Sequence, residues 1–150
     1  MSKHLLPLLL SFICLAAKAN PDSLISYLHH AMLFNEVMPQ EKVYLHLDNT
    51  GYFEEEAIWF KAYVVRADKG MPTDLSKVLY VELLNNVGDV VETCKCAVID
   101  GQADGSLNLK NVFKSGFYEI RAYTRYMTNW GASECFSRVV PVFCSPRTNG

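Results

Sequence analysis

The stretch Ala57-Ile58-Trp59-Phe60-Lys61-Ala62-Tyr63-Val64-Val65 decides the fold. It is dense in β-branched and aromatic residues, which favour strands. Ile58, Phe60, Ala62 and Val64 share one face at period two, and Trp59, Lys61 and Tyr63 share the other. This is the pattern of a central strand with one dry face and one amphipathic face. The remaining strands are read outward from it.

On its N-terminal side, Val43, Leu45 and Leu47 alternate with Tyr44, His46 and Asp48, and Asn49-Thr50-Gly51 supplies a turn. On its C-terminal side, Gly70 and Pro72 mark a loop. Leu79, Val81 and Leu83 then form the dry face of a third strand. Asn85-Asn86-Val87-Gly88-Asp89 turns it into a fourth over residues 90–99. Asp100-Gly101 turns again, and Leu107 and Leu109 mark a short fifth strand. Tyr118, Ile120 and Ala122 line one face of a sixth over 117–124. A seventh, over 135–143, contains Pro141, which favours a sheet edge. With no helical period between these strands, parallel crossover units are disfavoured. The expected fold is all-β, a seven-stranded immunoglobulin-like antiparallel β-sandwich. Tyr118 occupies the place of a tyrosine corner. No cysteine lies in the central strand, so burial of Phe60, Ile120 and their neighbours is expected to hold the sheets together.

Before the sandwich, residues 20–40 read as a lead-in helix. Asp22 or Ser23 follows Pro21 as a cap, Leu24, Leu28 and Met32 repeat every fourth residue, and Pro39 ends the pattern. Residues 1–19 read as a signal peptide. Lys3 and His4 precede an apolar run over 5–17, and Ala17-Lys18-Ala19 forms a small-x-small cleavage site. The run is shorter than the ~20 residues that a membrane helix needs. The mature chain is thus expected to be exported, to periplasm or outer-membrane surface, without a transmembrane segment. Loss of Lys3 and Lys18 takes 14 basic residues to 12 against 16 acidic, a formal charge of −4. Scattered basic residues and an acidic balance exclude nucleic acid as the expected partner. Residues 145–150 read as the start of a linker.

No phosphate loop, nucleophile elbow or zinc-protease helix occurs in the sequence, so no catalytic residue, cofactor or metal site is expected and the chain is read as a non-enzyme. Cys94-Lys95-Cys96 lacks metal spacing, and His46 with Asp48 fits an exposed strand face. Tyr123, Tyr126, Met127 and Trp130 surround the loop over 125–134. They either pack against the lead-in helix or a following domain, or anchor an outside partner. After export four cysteines remain, Cys94, Cys96, Cys135 and Cys144. Cys94 and Cys96 lie about 6.5–7 Å apart along a strand, at the limit for a bridge. Cys135 and Cys144 lie roughly 30 Å apart if the last strand is extended. At most one intramolecular disulfide is expected, joining one of the first pair to one of the second.

Several segments in order resemble the second macroglobulin-like domain of the alpha-2-macroglobulin family. They are Glu41-Lys42-Val43-Tyr44-Leu45-His46, Trp59-Phe60-Lys61-Ala62-Tyr63, Leu75-Ser76-Lys77-Val78-Leu79-Tyr80-Val81-Glu82-Leu83, Ser115 to Thr124 and Pro141-Val142-Phe143. The likeness covers about residues 40–144, and the domain is taken as 41–144. It is nearest to large exported envelope proteins of gut-type Gram-negative bacteria, where such a module follows a signal peptide and a short helix. The family usually carries a glycine before the acidic residue ahead of the tryptophan strand, where this chain has Glu54-Glu55-Glu56. The resemblance implies a non-catalytic exported module that scaffolds or binds within a larger envelope protein. Its partners would be following domains of a longer chain or another envelope protein. Two other roles it raises are a component of TonB-linked outer-membrane uptake and a protease-defence fragment. The bait region and reactive thioester of protease-trapping members are not among these 150 residues.

Overall fold

The computed structural model describes residues 21–112 and 114–145. The expected signal peptide and all but Ser145 of the expected linker lie outside them. The chain divides into two compact units, Met1–Met38 and Pro39–Gly150.

In the first unit, helix α1 spans Pro21–Val37. Proline suits the first helical turn, because it has no N–H to leave unpaired there. Asp22 and Ser23 lie inside that turn rather than capping it, and Asp22 places an acidic group at the positive helix end. Leu24, Leu28 and Met32 are all exposed, so among the described residues the repeat read from the sequence buries no face.

The second unit is the sandwich. Its strands are β1 (Glu41–Leu47), β2 (Tyr52–Phe53), β3 (Ala57–Arg66), β4 (Val78–Leu84), β5 (Val90–Ala97), β6 (Gln102–Asn108), β7 (Gly116–Thr124) and β8 (Phe136–Phe143). Two 3-10 turns, Met127–Trp130 and Ala132–Glu134, join β7 to β8. One sheet has the order β1-β3-β6 and the other β2-β8-β7-β4-β5. There are therefore eight strands among the described residues, not seven, and the fold is not wholly antiparallel. The additional strand is β2, which pairs in parallel with β8 through Tyr52 opposite Val142 and Phe53 opposite Phe143. Two residues are too few to show a period. Pro141 fits the edge reading, because β8 has an outer neighbour only at Val142 and Phe143.

β3 is the middle of its sheet, paired with β1 and β6. Ile58, Phe60, Ala62 and Val64 are buried while Trp59 is 60% exposed, as the alternation requires. Against them lie Leu79, Val81 and Leu83 of β4, Ile120 and Ala122 of β7, and Val140 and Val142 of β8. Each fully buried aliphatic side chain contributes about 1.5–3 kcal/mol. The Tyr118 hydroxyl donates to the Lys114 carbonyl at 2.9 Å, the upstream backbone bond of a tyrosine corner.

Three turns fix the path of the chain. Asp100 and Gly101 both have positive φ, 50° and 70°, and Ile99 and Gln102 exchange backbone hydrogen bonds across them. This tight turn takes the chain from one sheet to the other, and a Cβ on Gly101 would stand 2.6 Å from Pro72 Cβ. At the start of β3, Glu55 occupies the left-handed region with φ 71°. Glu56 Oε2 accepts from the Phe53 N–H at 2.8 Å and closes this turn. At the end of β1, Asp48 Oδ1 accepts from the Tyr52 hydroxyl at 2.9 Å and from the Trp59 N–H at 3.2 Å, which gives this carboxylate a structural role.

Candidate functional site

The aromatic loop lies where β7 runs out. Thr124 Oγ1 accepts from the Met127 N–H at 3.2 Å, and the chain winds into the first 3-10 turn. That turn splits the four candidate anchors. Met127 is fully buried in the core, so it is corrected from a surface contact to a packing residue. Tyr126 and Trp130 lie on the other side of the turn, both half-buried, with ring centroids 4.7 Å apart at 66°. This is the edge-to-face geometry favoured by aromatic pairs. Tyr123 belongs to the outer face of the five-stranded sheet.

On that face the strand register builds a second cluster. Tyr80 stands opposite Tyr123 and Glu82 opposite Arg121. The Tyr80 and Tyr123 rings stack at 5.5 Å and 13°, and Lys95 Nζ sits 5.6 Å from the Tyr80 centroid. Glu82 accepts from the Tyr123 hydroxyl at 2.8 Å and from Arg121 Nη2 at 2.8 Å. Burial and the bond to Glu82 push the Tyr123 phenol above its usual range. The bond to Glu82 likewise raises Arg121.

A groove of about 460 Å³ joins the two clusters, lined by Ser76, Lys77, Val78, Tyr80, Arg125 and Tyr126. A smaller hollow of about 220 Å³ lies beside Tyr123, Arg121 and Cys135, whose thiol burial pushes up. Tyr80, Glu82 and Lys95 belong to this surface and were missed by following the loop alone. Outward alternation on β4 and β7, taken with their pairing, is the signal that finds them. The ionisable groups at the centre are committed to one another, and what remains open is aromatic surface flanked by the cations Lys77, Lys95 and Arg125. Such a surface is suited to holding a partner.

The four described cysteines are spread over β5 and the two ends of β8. Cys94 pairs with Val81, Val81 with Ala122 and Ala122 with Phe136, so Cys135 is three strands away from Cys94. At about 4.8 Å per strand that is roughly 14 Å. Cys144 stands at the far end of β8, where its Sγ donates to the Val112 carbonyl at 3.8 Å. No pairing between the first two and the last two is within reach, and none of the four forms a disulfide, which lies within the expected limit of at most one bridge.

These two packed sheets, closed by a tyrosine corner, define an all-β sandwich, and its fold is macroglobulin-like. It superposes on a point mutant of Salmonella alpha-2-macroglobulin with a TM-score of 0.55 at 16% identity, over 71% of this chain and 6% of that one. E. coli alpha-2-macroglobulin in its native conformation gives a TM-score of 0.55 at 16% identity, over 69% of this chain and 6% of that one. The chain thus spans only about 6% of the length of those proteins. No protein-family model and no curated protein matches it.

Proposed function

We propose that this chain is a non-catalytic module of a larger exported cell-envelope protein, equivalent to a second macroglobulin-like domain. In this reading it scaffolds its neighbours and binds through the aromatic groove. The likeness to a small part of much longer bacterial alpha-2-macroglobulins is the observation that carries the reading. The sequence of residues 1–19 supports export, to the periplasm or outer-membrane surface. The bonds of Arg121 and Tyr123 to Glu82 favour recognition over reaction, since they occupy the groups that chemistry would need.

The test is expression of the tagged chain in a Gram-negative host, with cell fractionation and N-terminal sequencing. Envelope protein beginning at or near Asn20 is expected, and cytoplasmic protein retaining Met1 would sink the export reading. A photo-crosslinking residue in place of Trp130 then reports on binding. An adduct with a neighbouring domain or envelope protein is expected. If it yields none where an exposed control position such as Val87 does, the groove is not the binding surface.

A further inference from the structure

On the inner face of β5, Cys94 and Cys96 turn their sulfurs toward each other to 3.4 Å. Cys96 is buried and Cys94 half-buried. β5 is an edge strand, bonded to β4 on one side only. Opposite the two sulfurs, on β6, stands Gly105. A Cβ there would come within 2.9 Å of Cys96 Sγ, 3.0 Å of Cys94 Sγ and 2.8 Å of Phe60 Cζ. The missing side chain gives both sulfurs their space. The other described thiols are out of range, as the strand register shows.

We infer that Cys94 and Cys96 form a reactive dithiol site, which an external disulfide converts to an intrastrand disulfide. The Cys94 thiolate, on the more open side, attacks one sulfur of RS–SR′ and releases R′S⁻. The Cys96 thiolate then attacks the Cys94 sulfur and releases RS⁻. Each departing thiolate takes up a proton matching the one lost by a cysteine. Two protein thiols are oxidised to one disulfide, and one external disulfide is reduced to two thiols. Burial and the neighbouring Cys94 push the Cys96 thiol upward, and Cys94 is the more exposed of the two, so Cys94 is the entering nucleophile. The sulfurs must close from 3.4 Å to about 2.0 Å. Residues two apart on an extended strand sit at the upper limit of Cα separation for a bridge, so β5 must pucker. An edge strand is free to do so on its unbonded side. The strain makes the bridge readily reducible, so the site is reversible.

The test treats the fully reduced chain with oxidised glutathione, blocks the remaining thiols with an alkylating reagent, and maps peptides by mass. The expected product is a monomer with two fewer thiols, whose peptide holding both residues is two hydrogens lighter. In Cys96→Ser the second step is removed, so glutathione should remain attached to Cys94. An unreactive pair, a glutathione adduct that persists on Cys94 of the unmodified chain, or thiol loss only through intermolecular bonds would each overturn the inference.

Discussion

Replacing Glu41 tests how the two sheets are joined. Glu41 begins β1 and is 2% exposed. Its Oε2 accepts from the Thr124 hydroxyl of β7, in the opposite sheet, at 2.7 Å and from the Ser76 hydroxyl at 2.6 Å. Its Oε1 accepts from the Ser76 N–H at 3.0 Å. A hydrogen bond to a charged group contributes about 1.5–3 kcal/mol, and such contributions do not simply add. In Glu41→Ala the half-buried Ser76 regains water. Thr124 is fully buried and cannot, so its hydroxyl, which still accepts from the Met127 N–H, is left with no acceptor for its own proton, at a further cost of ~1–3 kcal/mol. The expected loss is about 3–5 kcal/mol, the range for breaking a buried charged contact. Glu41→Gln keeps the volume and one acceptor and should lose about 1–2 kcal/mol. Urea denaturation of the whole chain, with Thr124→Val completing a double-mutant cycle, measures both. A loss below ~1 kcal/mol for Glu41→Ala at unchanged m, or a coupling to Thr124 below ~0.5 kcal/mol, would refute this account.

Glu55→Gly should stabilise the chain by about 1 kcal/mol, because the left-handed conformation is costly for residues with a Cβ; an unchanged or lower urea midpoint would contradict this. Met127→Ala should cost about 2–5 kcal/mol, whereas Trp130→Ala should cost clearly less; equal losses in melting would return Trp130 to the core. Alkali should weaken the fold. The Tyr52 phenol is pushed up to about 12 by burial and its bond to Asp48, so its contribution is complete below pH ~10 and disappears as pH rises toward 12. Tyr52→Phe should flatten that decline in urea midpoint, and an equally steep decline would place the titration elsewhere.

The fold was legible wherever one face of a strand is dry. β1, β3, β4 and β7 all alternate, and the tyrosine corner follows from Tyr118. Of β6 only the end near Leu107 and Leu109 was legible, since Asp104-Gly105-Ser106 carries no apolar alternation. The structure keeps it extended because Phe60 and two sulfurs occupy the space left by Gly105. The site was half legible. Composition marked the aromatic loop but could not tell that a 3-10 turn sends Met127 inward and Tyr126 outward. The convergence of Glu41, Ser76 and Thr124 was invisible for another reason. The bonded pairs are separated by 35 and 83 residues, and no local pattern reports such a meeting. The turn before β3 shows the reverse case. Glu54-Glu55-Glu56 offers no glycine, yet Glu55 adopts the left-handed conformation that glycine would take most easily.

The ladders also determine how the sandwich bears mechanical load. Glu41 meets Thr124 at one pole, whereas Tyr52, near the end of β1, meets Val142 near the other. β1 and β8 therefore run the same way, and the chain enters the sandwich at one pole and leaves at the other. Tension between these points acts along the strands. It shears the β1–β3 and β7–β8 ladders, so the seven residue pairs of each share the force instead of opening in turn. Pulling from Glu41 and Arg66, which face each other at one end of the first ladder, would peel it from that end, and a comparison of the two rupture forces would reveal the difference.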